Sequence, residues 1–216
     1  MQNKDIIPAI IPTSEDDLKE TIARLSFLHE IQIDVVDGQF VPFTSWPYEP
    51  VGDPSFMKPY TETFTVEIDL MVNDPTEAAL SWRQAGAEMF VFHIETISLP
   101  ELKEFTQRFD GTIGISANND TPLDDLLAYA EVADYYQLMG IRKIGSQGQP
   151  FDEEVLNRIA AIKEVDSEAF ISIDGSVNLD TIKRLKDAGA DRFVSGSAIL
   201  KAETPEIGYY SLLKAL

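Results

Sequence analysis

The residues best placed to do chemistry are acids set inside apolar runs. One run reads Gln32-Ile33-Asp34-Val35-Val36-Asp37-Gly38, and a second carries Glu67 and Asp69. A third offers His93 and Glu95, and a fourth closes on Ile173-Asp174-Gly175. Alternate side chains of an extended strand share a face. That rule groups Gln32 with Asp34, and Glu67 with Asp69 and Met71. A carboxylate among apolar neighbours costs free energy unless it is paired, protonated or bound to a metal. A single such acid serves as a structural hydrogen-bond acceptor, whereas several converging on one mouth favour a site. Two glycine turns complement them, Gly175-Ser176 and Ser195-Gly196-Ser197. Each aims backbone N–H groups at an anion, and turns after consecutive strands suit a phosphate.

Such residues need a scaffold that gathers strand ends. Short apolar runs read as buried parallel strands at Ile6–Ile11, Ile31–Val36, Phe64–Val72, Met89–Ile94, Thr112–Ser116, Tyr135–Ile141, Phe170–Ile173 and Arg192–Val194. Amphipathic stretches separate them. Ser98 followed by Pro100 and Glu101 has the spacing of a capping box. Asp74-Pro75 with Glu77 fits N-cap, N1 and N3, and Thr121-Pro122 with Asp124 has the same form. Ala85-Gly86-Ala87-Glu88 recurs as Ala188-Gly189-Ala190-Asp191, each time between a helix and a strand. The alternation and the echo predict an α/β chain folded as one TIM (β/α)8 barrel domain over residues 1–216. A doubly wound sheet is the alternative, without the Gly-rich turn after the first strand that would support it. In the barrel, polar residues at strand C-termini form the site. The segment Gln39–Thr63, with Pro42, Pro47, Pro50, Pro54 and Pro59, reads as a long loop over those ends with at most a short helix.

Composition narrows the partners. The 216 residues include no cysteine, and 17 basic against 37 acidic side chains give a formal net charge of −20. That excludes a disulfide framework and a Cys-ligated zinc or iron–sulfur site. It argues against nucleic acid, whose phosphates need a basic footprint, and against an anionic membrane. No apolar run nears the ~18 residues of a membrane span. Met1–Pro12, broken by Pro8 and Pro12, is too short and interrupted for a signal peptide. The expectation is a soluble, cytoplasmic protein. A salt-rich source is a second reading of the acidity.

Longer stretches carry a resemblance. They are Ile33-Asp34-Val35-Val36-Asp37-Gly38-Gln39-Phe40-Val41-Pro42, Asp69-Leu70-Met71-Val72, His93-Ile94-Glu95, Gly148-Gln149-Pro150-Phe151, Ile173-Asp174-Gly175 and Val194-Ser195-Gly196-Ser197-Ala198-Ile199. In these, and in their order along nearly the whole chain, the sequence resembles the ribulose-phosphate 3-epimerase family. The resemblance implies an isomerase acting on a small-molecule sugar phosphate, interconverting ribulose 5-phosphate and xylulose 5-phosphate. One carboxylate removes the proton beside the ketone, giving an enediolate, and a second on the opposite face returns a proton. The matching pair is Asp34 and Asp174. Met71 and Met139 match methionines that line the reacting carbon, and Val36 stands where a third is usual. The resemblance further implies a divalent metal, phosphate contacts at Gly148, Gly175, Ser176, Gly196 and Ser197, and a homo-oligomer, taken as a dimer.

The chain departs from that family at the metal. The family's two ligating histidines are replaced by Gln32 and Asp69, and the two histidines present, His29 and His93, lie elsewhere. His93 matches a substrate-lining family residue outside the usual ligand set and reads as a hydrogen-bonded core histidine; His29 reads as surface. Three readings stay open. Asp34, Asp69, Asp174 and Gln32, all oxygen donors, hold Mg²⁺ or Mn²⁺ in preference to Zn²⁺. Alternatively no metal binds, and at least one aspartate keeps a proton at raised pKa. In the third, the chain is no longer an epimerase. The loop after strand 6 has Arg142-Lys143 where the family has Asn-Pro, and it is slightly longer. Arg142 either draws in the phosphorylated substrate or is merely solvated, and Asn118 either contacts substrate or makes a turn. Ser176 replaces a glycine and offers a hydroxyl to phosphate, while Ala9 replaces a serine. The rivals are a non-catalytic phosphosugar-binding protein and an epimerase of another ketose phosphate. A barrel decarboxylase or aldolase lacks its strand-3 lysine in Glu67-Ile68-Asp69-Leu70-Met71.

Overall fold

The computed structural model describes residues 5–216, so the first four residues of the Met1–Pro12 stretch lie outside the described residues. Its parallel strands are β1 Asp5–Ile10, β2 Glu30–Val36, β3 Thr65–Met71, β4 Met89–His93, β5 Thr112–Ala117, β6 Tyr135–Met139, β7 Ile171–Asp174 and β8 Arg192–Ser195. They hydrogen-bond in sequence order, and β1 pairs with both β2 and β8. That closure makes the (β/α)8 barrel and excludes the open sheet. The helices are α1 Glu15–Arg24, α2 Pro75–Gln84, α3 Leu99–Thr106, α4 Leu123–Leu127, α5 Glu154–Val165, α6 Ile182–Ala188, α7 Ser197–Leu200 and α8 Pro205–Ala215. Among the described residues, no helix is long and apolar enough to cross a membrane.

Side-chain caps explain half of the helix starts. The Asp74 carboxylate accepts from the Glu77 N–H at 3.2 Å, and Ser98 with Glu101 forms a capping box. Thr121 behaves otherwise. Its N–H closes a turn onto the Asn118 carbonyl and its hydroxyl donates to Glu95, so α4 starts after Pro122 without a side-chain cap.

Outward strand residues such as Ile31, Ile33, Ile68, Phe90 and Phe92 are buried beneath the helices in the main apolar cluster. The interior is polar by contrast, so its groups must find partners. Strand register sets Glu67 beside Gln32 and Asp69 beside Asp34, which places Glu67 one pleat lower. There it accepts from Arg192 at 2.6 Å and from the Tyr135 hydroxyl. Arg192 also reaches Glu30. Glu67 therefore shares the predicted face yet belongs to a buried ion pair at the floor.

The Gln39–Thr63 segment covers less of the mouth than its proline content predicts. Only its start lies there, where Phe40 and Val41 pack with Met71, Met139 and Ile144. The rest is held to the barrel flank by Trp46, which is buried against Phe56 and Trp82. The short helix is a 3-10 turn at Pro54–Met57.

Candidate functional site

Asp34 of β2, Asp69 of β3 and Asp174 of β7 bring carboxylate oxygens within 4.8 Å of one another, all buried. Gln32 joins two of them: its Nε2 donates to Asp34 Oδ1 at 2.8 Å and to Asp174 Oδ2 at 3.3 Å. Asp69 is held from behind, at Oδ1 by His93 Nε2 at 2.9 Å and at Oδ2 by Gln137 Nε2 at 3.1 Å.

Crowding of like charges in a dry interior disfavours full ionisation. Burial, then the neighbouring Asp174 and Asp69 charges, lifts Asp34 well above the usual carboxylate range. Burial and the Asp69 charge raise Asp174 to about 7, against the Gln32 hydrogen bond. Burial alone lowers the His93 pKa, but the Asp69 charge and hydrogen bond outweigh it and the net shift is upward.

The cluster could hold a divalent cation. The Gln32 Oε1 is buried without a hydrogen-bond partner. Half a turn of the amide exchanges its nitrogen and oxygen, and would set that oxygen between the Asp34 and Asp174 carboxylates. The donor set is then all oxygen, which suits a hard ion.

Beside the acids lies a cavity of about 220 Å³, reached by Asp34, Asp174, Met71 and Met139. That is below the size of a drug-sized pocket and suits a small metabolite. Gly148, Gly175, Ser176, Gly196 and Ser197 line it too. Gly175 has φ +94°, and an added Cβ would meet the Ile141 side chain at 2.7 Å. Ser176, with φ 52°, is the one non-glycine at positive φ among the described residues. Its carbonyl is pinned by Asn178 Nδ2 at 3.0 Å and Thr181 Oγ1 at 2.6 Å. The left-handed conformation costs a serine about 1 kcal/mol, which glycine avoids at the expense of a freer unfolded chain. Ser176→Gly is therefore expected to leave the urea midpoint unchanged or slightly raised, and to weaken binding of inorganic phosphate about threefold. Urea unfolding and a phosphate titration check the two halves.

Other expected contacts lie off the cavity. Asn118 is in a turn, with its N–H on Glu95 Oε1 at 2.8 Å. Arg142 is exposed and pairs with Asp120. The Gly140 N–H bonds the Asp174 carbonyl at 2.7 Å, which carries the β6–β7 pairing one residue past Met139. An added Cβ at Gly140 would lie 2.1 Å from the Gly175 oxygen, so this crossing needs glycine. His93 and Asp69 sit behind the cavity wall rather than on it, and Gln32 bridges to it through Asp34 and Asp174. Sequence reading missed Gln137, although alternation with Met139 along β6 was a signal for it. It also missed Ser146, Gln147 and Asn178, which line the cavity.

A profile described as the ribulose-phosphate 3 epimerase family matches residues 5–200. The ribulose-phosphate 3-epimerase of Mycobacterium bovis is 30% identical over 206 residues, covering 93% of this chain and 87% of that protein. That of Schizosaccharomyces pombe is 27% identical over 213 residues, covering 95% and 91%. Among solved structures, a 3-hexulose-6-phosphate synthase superposes with TM-score 0.71 at 16% identity, covering 99% of each chain. The 3-keto-L-gulonate-6-phosphate decarboxylase of Vibrio cholerae gives TM-score 0.72 at 15% identity, covering 100% of this chain and 97% of that one. These two share the barrel.

Proposed function

The chain belongs to the ribulose-phosphate 3-epimerase family, and from that premise we propose that it is an isomerase interconverting ribulose 5-phosphate and xylulose 5-phosphate. One observation carries the reading. Asp34 and Asp174 reach the same small cavity from β2 and β7, and both have raised pKa values. At neutral pH such a pair keeps one member protonated while the other is ionised, as inversion of a carbon beside a ketone requires. The ionised member takes the C3 proton, and the protonated member delivers one to the opposite face. Reversing the reaction exchanges their roles. Met71 and Met139, with Phe40 and Val41 above them, form an apolar wall that limits water at the reacting carbon. Gln137 and His93 fix the Asp69 carboxylate. Gly148, Gly175, Ser176, Gly196 and Ser197 take the phosphate.

Asp34, Asp69, Asp174 and Gln32 would hold Mg²⁺ or Mn²⁺, which when bound supplies positive charge opposite the developing enediolate. The second reading is metal-free. It is favoured by the Gln32 Nε2 contacts, which set a neutral donor between the two acids. On either reading the protein works as a cytoplasmic single-barrel enzyme, and as a dimer by family habit. The test is to incubate it with ribulose 5-phosphate in D₂O, as isolated, after chelation, and with added Mg²⁺ or Mn²⁺. The proton at C3 is followed by NMR. Exchange supports the reading, and the chelated arm separates the two forms of it. No exchange under any condition overturns it in favour of a phosphosugar-binding protein or another ketose phosphate.

A further inference from the structure

Among the described residues, no lysine or arginine lines the cavity. A phosphate dianion approaching a chain of net charge −20 therefore meets only neutral donors there. Backbone N–H groups of the glycine turns are one kind. The side-chain amide of Gln147 is another, and its position is specific. The residue is half-buried, and its Nε2 lies 3.4 Å from the Ala9 carbonyl oxygen. A Cβ added to Gly196 would come within 2.3 Å of that nitrogen. The amide thus rests on the glycine of the turn after β8, in space that any other residue at 196 would fill. Its bond to Ala9 is at the long limit for an N–H···O contact, so a charged acceptor outcompetes it. Gly145 and Gly148 flank the residue with φ +85° and +78°, and an added Cβ at Gly148 would meet nothing within 4 Å. The loop is thus packed against Val41 at Gly145, 2.7 Å from an added Cβ, and open at Gly148.

We propose that Gln147 is a specificity-determining residue of the anion subsite: its amide exchanges the Ala9 carbonyl for the phosphate of the substrate. This rests on reading the cavity as a sugar-phosphate site. The substrate class it selects is a phosphate monoester recognised by neutral hydrogen-bond donors rather than by a cation. Arg142 and Lys143 precede it in the same loop but stay exposed outside the cavity. The neutral donor, not the nearby cations, then sets the affinity.

Two substitutions test this at one fixed ionic strength near ~0.15 M, so that screening is held constant. Gln147→Ala deletes the donor, and Gln147→Glu keeps the size but adds a repelling charge. Inorganic phosphate is titrated against each protein by NMR, which needs no turnover. Loss of one hydrogen bond to a charged group predicts about tenfold weaker phosphate binding for Gln147→Ala and a larger loss for Gln147→Glu. In steady-state assays Gln147→Ala is expected to raise KM for ribulose 5-phosphate by the same factor with kcat within twofold. Phosphate binding as tight or tighter in Gln147→Ala overturns the inference, because the side chain then plugs the turn or stands by. A wild-type protein that binds no phosphate overturns it too. The two readings fail separately. A Gln147-dependent phosphate site without C3 exchange retains this inference and sinks the epimerase. C3 exchange with a KM unmoved by Gln147→Ala does the reverse.

Discussion

Asparagine at position 34 or at position 174 is expected to slow interconversion of ribulose 5-phosphate and xylulose 5-phosphate by about 10³-fold or more, each alone. General acid–base groups contribute about 10²–10⁴-fold apiece, and inversion needs both members of the pair. Asparagine keeps the size of aspartate and can still hydrogen-bond, but at neutral pH its amide neither takes up nor gives back a proton. Circular dichroism and urea unfolding of both variants establish that the barrel survives. Asp69→Asn is the informative contrast. Asp69 lies behind the cavity wall, with one oxygen on His93 and the other on Gln137. It can bind a cation or tune its neighbours, but it is not placed to touch C3. Its asparagine variant should keep measurable exchange and differ from wild type chiefly in its response to Mg²⁺ or Mn²⁺. If Asp34→Asn and Asp174→Asn each retain interconversion of the two pentulose phosphates within tenfold of wild type, the two-carboxylate assignment is wrong.

The convergence of Asp34, Asp69 and Asp174 was legible because two simple rules suffice. Alternation assigns the faces, and the repeated βα unit brings the strand ends to one mouth. The same alternation put Glu67 on the same face but said nothing of depth. Its partners Arg192 and Tyr135 come from β8 and β6, and only closure of the barrel brings them together. The spacings at Asp74 and Thr121 look alike in sequence, yet only Asp74 caps. Thr121 is drawn into a turn with Asn118 and toward Glu95, a contact from the preceding βα unit. Sequence reading leaves Arg142 between substrate and solvent because its direction depends on the path of the loop after β6, and in the structure it is exposed and paired with Asp120. Gln147 had no periodicity to reveal it. Its place in the cavity comes from left-handed glycines on either side and from Gly196 in the turn after β8. Strand residues were therefore readable by face, while loop residues needed the backbone path.

The cluster should also set how stability depends on pH. Asp174 has a folded pKa of about 7 against an ordinary value of 3.8, and Asp34 is shifted the same way. Between those limits the folded state holds protons that the unfolded chain has released. Stability then falls as pH rises, by about 1.4 kcal/mol per pH unit for each such group. The advantage of the protonated cluster is full near pH 4 and gone once pH passes about 7 for Asp174. General repulsion at a net charge of −20 acts in the same direction, so a control is needed. Asp174→Asn should flatten the slope between pH 4 and 7, whereas Glu203→Gln, at an exposed position, should change it little. A hard cation reverses the trend, because it binds the ionised form and competes with protons. At pH 8 a saturating ion, about a hundredfold above its Kd, is expected to add about 2.7 kcal/mol. At pH 5 the gain should be much smaller, and it should vanish in Asp174→Asn at both. Thermal unfolding with Mg²⁺, with Mn²⁺ and with chelator reads this without any substrate. An ion-dependent rise in Tm at pH 8 selects the hard-ion form of the site. No rise selects the metal-free form, in which Gln32 keeps its nitrogen toward the acids and the proton itself relieves their repulsion.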